Sequence, residues 1–251
     1  MLPADMSSLV QRIARQALLT FRPPQWSSSS TAEEAGRLFQ ENQSLLHSLM
    51  SEVSAQDLRL TPRTAASSGR PSAFAPPVTY MHICETDHFS MGVFLLKSGA
   101  YIPLHDHPGM HGVLKVLYGK VRISCFDRLS EEPPGAPYTP PLSGLLRLSL
   151  LRSSGEYGPQ SGPCVLSPEQ DNLHQIQALD GPSAFMDILA PPYDPDHGRD
   201  CHYYTVLSEG QAAEPPGPQG PPGQQVWLQE VPQPADFWCG AEPYPGPPVF
   251  L

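Results

Sequence analysis

The stretch IPLHDHPGMHGVLKVLYGKVRISCFD, residues 102–127, decides how the rest of the chain is read. It opens with three histidines in seven residues, His105, His107 and His111, and then breaks into two apolar runs around Tyr118-Gly119-Lys120. In an extended chain, residues two apart point to the same side. If Leu104 to Pro108 is extended, His105 and His107 project into one space while Asp106 faces away. That is the simplest way to bring two imidazoles to one metal from a rigid element. A bare His-x-His pair is also compatible with imidazoles that are only hydrogen-bonded or exposed.

The same punctuation of short runs continues on both sides. Nine segments read as strands: VTYMHICE (78–85), FSMGVFLLK (89–97), GVLKVLYG (112–119), KVRISCFD (120–127), LLRLSLLR (145–152), PCVLSP (163–168), LHQIQAL (173–179), SAFMDILA (183–190) and HYYTVL (202–207). No helical periodicity interrupts them, so the region is predicted to be all-β, a sandwich or small barrel. A third ligand has to come from another strand. His174 is the best candidate, because it follows a turn-rich segment and opens a strand. His111 reads as structural, and His47, His82, His88, His197 and His202 are not expected to be ligands.

Before the strands, residues 8–21 and 33–53 carry helical periodicity. Leu9, Val10, Ile13, Ala17 and Leu18 form one apolar face; Leu38, Leu45, Leu46, Leu49 and Val53 form another. WSSSSTAEE between them offers Ser and Thr as N-caps with acidic residues in the first turn. Residues 62–76, rich in Pro, Ser and Ala, read as a linker. The chain thus divides into a helical extension and linker, 1–76, packing on a barrel, 77–251. SEEPPGAPYTPP (130–141) and EPPGPQGPPGQQ (214–225) read as surface excursions. The tail beyond carries Trp227, Phe237, Trp238, Tyr244 and Phe250, too much apolar surface to leave in water, and is expected to pack back on the barrel.

Composition narrows the function. Fifteen basic against 25 acidic residues in 251 give a formal net charge of −10, with no Lys/Arg run, which argues against nucleic acid or an anionic membrane as partner. Five cysteines, Cys84, Cys125, Cys164, Cys201 and Cys239, are odd in number and lack a Cys-x-x-Cys pair, which points to a reducing compartment. No stretch approaches the ~20 apolar residues of a membrane span. The Arg-bearing amphipathic N-terminus has a presequence-like character, but Asp5 and its regular apolar face favour a packed helix and a cytoplasmic protein.

Gly99, His105-x-His107 and Gly119 resemble the first motif of the cupin superfamily. Its usual glutamate is absent here, where His111 and Gly112 stand. Gly162 and Pro168 match the second motif, but Gln170 replaces a glycine, His174 is one residue late, and Ala178 stands where asparagine is usual. Longer blocks, from YMHICETDHF through DNLHQI and FMDILAPPYDPDHGRDCHYY to DFWCGAEPYPGP, resemble the thiol dioxygenases of the cysteamine dioxygenase and plant cysteine oxidase family. The resemblance spans about residues 78–251 and implies an all-β cupin double-stranded β-helix, a jelly-roll barrel with N-terminal helices.

It also implies Fe(II) held by His105, His107 and His174, with dioxygen as co-substrate and no external reductant. The implied substrates are cysteamine, giving hypotaurine, and peptides or proteins with an N-terminal Cys, whose oxidation feeds an oxygen-sensing N-degron. Three neutral imidazoles leave the metal its full dipositive charge and open positions, which favours capture of a thiolate. Asp187, an acid in a segment that reads as a buried strand, is expected to face the substrate ammonium. Tyr193 is expected to donate a hydrogen bond near the iron. Cys201 and Tyr203, two apart, could share a strand face and become joined as a thioether. A monomer is expected. The rival reading is a non-catalytic metal-binding cupin module.

Overall fold

A computed structural model describes residues 7–23, 31–64, 75–129, 146–207 and 221–251. The linker at 65–74 and the two inserts, at 130–145 and 208–220, lie outside the described residues, so the surface-loop reading of 130–141 and of 214–220 falls there.

Two helices come first. α1 spans Leu9–Phe21, where the Ser8 hydroxyl accepts from the Gln11 amide; α2 spans Ala32–Glu52. The predicted cap of α2 is Thr31: its hydroxyl accepts from the Glu34 amide, and the Glu34 carboxylate accepts from the Thr31 amide at 2.9 Å. In α1 the expected face is the buried one, with Val10, Ile13, Ala14 and Ala17 wholly inside. In α2 the buried stripe is Leu46, Met50 and Val53, whereas Leu38 and Leu45 are 51% and 56% exposed. Leu46, Leu49 and Val53 of the expected face do turn inward, so the prediction fails only at Leu38 and Leu45. Met50, which was not assigned to that face, completes the buried stripe.

Ten strands follow: β1 (Val78–Glu85), β2 (Ser90–Leu96), β3 (Tyr101–Asp106), β4 (His111–Arg128), β5 (Leu146–Tyr157), β6 (Cys164–Leu166), β7 (Leu173–Ala190), β8 (Tyr203–Leu207), β9 (Gln225–Val231) and β10 (Cys239–Ala241). Six of them, β7-β3-β8-β9-β5-β4, close into a barrel because β4 pairs back onto β7. β2, β1 and β10 extend from one edge of β7, and β6 lies on β4. The jelly-roll expectation holds, with a different division of strands. Residues 112–119 and 120–127 are one strand, β4, and 173–179 and 183–190 are one strand, β7. Each bends midway rather than turning back. At the bend of β4, Gly119 has φ +74°, and a Cβ there would lie 2.4 Å from the Pro182 carbonyl oxygen, so only glycine lets the two strands stay paired through it. The tail does return: β9 and β10 join the sheet and Phe237 enters the core.

Three apolar clusters hold this together. The first binds Val10, Ile13, Leu46 and Met50 of the helices to Met81, Met91, Val93, Met186 and Ile188 of the sheet. At about 1.5–3 kcal/mol for each large side chain removed from water, the helices are fixed to the strands rather than trailing from them. The C-terminus adds a polar tie: the Gln11 side chain donates to the Phe250 carbonyl and accepts from its amide, both at 2.9 Å. The second cluster includes Ile102, Ile123, Ile176, Phe185 and Phe237; the third draws Leu104, Phe126, Leu151, Leu173, Tyr204 and Leu228 from the six barrel strands. Among the described residues no helix is long and apolar enough to cross a membrane.

Candidate metal centre

Strand register delivers the histidines. His105 of β3 is paired directly with His174 of β7, and on its other side with Tyr203 of β8. His107 follows just past the end of β3. The ring centroids lie 4.7 Å (His105–His107), 4.8 Å (His105–His174) and 4.6 Å (His107–His174) apart, a nearly equilateral triangle. Their ligand nitrogens all fall within 4.8 Å of one another, and no carboxylate is grouped with them among the described residues.

The donor atoms suit a divalent metal. All three rings are buried, and burial pushes each below the usual histidine range, His107 to about 3, so they are neutral at physiological pH. The Nδ1 of His105 lies 2.8 Å from the Pro103 carbonyl, and that of His107 lies 2.8 Å from the Asn172 carbonyl. A carbonyl only accepts, so Nδ1 carries the proton in both rings and Nε2 keeps its lone pair. This is the orientation a metal ligand needs. Asn172 also donates from Nδ2 to the carbonyls of His107 and Ser167, at 2.7 and 3.0 Å, and accepts from the His107 amide, bracing the end of β3 against the start of β7.

Asp106 turns to the opposite side, as expected from alternation, and is 1% exposed. Its carboxylate accepts from Arg128 at 2.6 Å, from the Tyr204 hydroxyl at 3.0 Å and from the His202 amide at 2.9 Å; His202 Nδ1 lies 3.1 Å away. The Tyr193 hydroxyl donates to the Asp106 carbonyl at 2.7 Å. The Tyr193 ring stands beside His107, with centroids 5.8 Å apart, as expected of a residue near the metal. Its proton, however, goes to the strand that carries the histidines, because that carbonyl lies within reach at the end of β3.

Cys201 precedes β8 rather than sharing a strand with Tyr203. Its sulfur nevertheless meets the hydroxyls of both Tyr193 and Tyr203, and burial pushes the thiol up to about 11. Tyr203 reaches the centre too, its ring centroid 6.4 Å from that of His105.

Asp187 lies on β7 between Gly92 of β2 and Leu114 of β4. It shares a face with Phe185 and thus with the second cluster. Half-buried, its carboxyl is pushed up to about 7 by desolvation, partly offset by the Ile188 amide. The second cluster also holds Ile176, two residues from His174 on β7, so Asp187 and His174 lie on the same side of the sheet.

His111 is structural: its ring centroid lies 5.2 Å from that of Phe39 and 6.1 Å from that of Phe21, joining the helices to β4. Sequence reasoning missed Asn172 and the partners of Asp106. For Asn172 the available signal was its position two residues before His174. For Arg128 and Tyr204 there was none, because only the strand pairing brings them to Asp106.

A closed antiparallel barrel in which three neutral imidazoles converge defines a barrel able to hold a metal ion. The family model PCO_ADO matches residues 49–249. The 2-aminoethanethiol dioxygenase of Mus musculus is 56% identical over 260 residues, covering 99% of this chain and all of that one. That of Homo sapiens is 53% identical over 270 residues, with 99% and 100% covered. Plant cysteine oxidase 1 of Arabidopsis thaliana is 32% identical over 163 residues, 63% of this chain and 53% of that one. The chain belongs to the PCO_ADO family of thiol dioxygenases.

Proposed function

We propose that the protein is an Fe(II) dioxygenase for thiols that carry a nearby primary amine. It converts cysteamine to hypotaurine and an N-terminal Cys to its sulfinic acid, and through the latter feeds an oxygen-sensing N-degron in the cytoplasm. The observation that carries the reading is the set of three buried, neutral imidazoles with no carboxylate grouped beside them among the described residues, in a chain 56% identical to a 2-aminoethanethiol dioxygenase.

Ferrous iron bound there would supply the meeting point for a thiolate and dioxygen. His105, His107 and His174 would hold it. Two of these rings are fixed by Nδ1–H bonds to carbonyls, so binding requires no tautomer change. Asp187 would draw the ammonium of the substrate, since a half-buried carboxyl near neutrality gains most from a cation. Tyr193, tied to the Asp106 carbonyl, would hold the end of the histidine strand and the wall against which the thiol lies. The contact of Cys201 with Tyr203 leaves thioether formation open to a mass measurement, a linked chain being lighter by two hydrogens.

The stoichiometry closes. A thiol going to a sulfinic acid gives up four electrons and gains two oxygen atoms, and one dioxygen supplies both the atoms and the electron sink. No external reductant is then needed. The test is iron-loaded protein with cysteamine, or with a Cys-initiated peptide, under air. The expected product is heavier by two oxygen atoms, with matching oxygen uptake. Unchanged thiol in the presence of bound iron would instead support a non-catalytic cupin module.

A further inference from the structure

Strand β2 is notched at Gly92. The register sets this glycine between His82 of β1 and Asp187 of β7. A Cβ built on it would lie 2.3 Å from Cε2, Cζ and Oη of Tyr80, so the end of that phenol occupies the volume of the missing side chain. Tyr80 is itself paired with Phe94, one row along β1 and β2, and leans diagonally to reach the notch. Its ring centroid is 4.9 Å from that of Phe94 and 6.4 Å from that of His82.

This fixes where the hydroxyl stands. Cβ atoms of directly paired residues are about 4.5–5.5 Å apart, and the Tyr80 hydroxyl lies 2.3 Å from where the Cβ of residue 92 would be. It therefore lies within about 8 Å of the Asp187 Cβ, on the same face of the sheet as that carboxylate. Among the described residues no hydrogen bond ties the Tyr80 hydroxyl, and Asp187 has the Ile188 amide but no cation. Tyr80, Phe94 and Asp187 are all half-buried, so none of the three is sealed in the core. Two oxygens and two aromatic faces surround a place that lacks a positive charge.

We propose that Tyr80 and Asp187, facing each other across the notch at Gly92, form a two-sided seat for the primary ammonium of the substrate, with Tyr80 the specificity-determining half. The carboxylate accepts from the ammonium on one side and the phenol oxygen on the other, while the rings of Tyr80 and Phe94 offer their electron-rich faces. A hydroxyl in place of the ammonium has neither the charge nor the donors to fill such a seat. The proposal rests on the thiol dioxygenase reading and extends it from one residue to a constructed site.

The test compares cysteamine with 2-mercaptoethanol, which replaces the ammonium by a hydroxyl, on the iron-loaded full chain and its Tyr80→Phe variant. Tyr80→Phe removes one oxygen atom and keeps the ring packed on Phe94. The expected result is a roughly tenfold fall in kcat/KM for cysteamine, carried mainly by KM, with the slower turnover of 2-mercaptoethanol unchanged. Wild-type kinetics for cysteamine in the variant, or an equal loss on both thiols, would overturn the seat alone. A wild-type protein that oxidises neither thiol would overturn the dioxygenase reading and the seat with it.

Discussion

Two aspartates flank the histidine centre, and the fold treats them in opposite ways. Asp106, between two candidate ligands, is buried among three elements and accepts from Arg128, Tyr204 and His202. Asp187, on β7, has one backbone amide, no cation among the described residues, and a carboxyl pushed up to about 7. The first carboxylate has its partners within the fold and serves to fix positions. The second keeps an unmet demand for positive charge, which is costly to the folded state and useful only if something arrives to meet it. The contrast separates a residue whose partners are built into the fold from one proposed to take its partner from the substrate.

The sharpest way to break this comparison is to remove what both acids flank. Replacing His105, His107 or His174 singly by Ala should abolish metal retention and activity while the barrel keeps its melting behaviour. Metal analysis and calorimetry together check this, and full activity in any one variant would remove that residue from the ligand set.

Asp106→Ala comes next. Breaking a buried pair costs about 3–5 kcal/mol, and the lower end applies because the Arg128 side chain is 45% exposed and can recover water. A denaturant midpoint equal to wild type would show that the network is dispensable. The smallest effect on the fold, and opposite in sign, is expected at Asp187→Asn. The folded carboxyl binds its proton more tightly than the unfolded one, so ionisation of Asp187 erodes stability as pH rises from about 4 to about 7. Asn carries no such cost. The variant should therefore gain stability relative to wild type over that window and hold the gain above it, while losing turnover and keeping its metal. Equal stabilities at pH 5 and pH 8, with unchanged kinetics, would erase the distinction between the two acids.

How much of this was legible depended on distance along the chain. The His-x-His pair and the outward Asp106 followed from alternation within a few residues. So did the cap of α2, because Thr31 and Glu34 are neighbours in sequence. Where one strand passes through a bend, local reading failed: Gly119 and Asp180-Gly181 look like hairpin turns, yet pairing between β4 and β7 continues on both sides. β9 and β10 escaped notice as strands, and β3 was read as extended only from Leu104, because their ladders are short or made with distant partners. On α2 two of the five expected face residues, Leu38 and Leu45, stay exposed, since a leucine-rich helix offers two adjacent stripes and the sheet selects one.

The amino-acid sequence alone determined the strand-rich character, the helix limits and the projection of His105 with His107 to one side, since each follows from backbone geometry over a few residues. The tertiary structure decided that His174 completes the triangle, that Arg128 and Tyr204 meet Asp106, and that Tyr80 fills the notch left by Gly92 opposite Asp187. Those juxtapositions depend on the register between strands far apart in the chain. Register is set by which faces bury together across the whole sheet, a balance that no short segment contains.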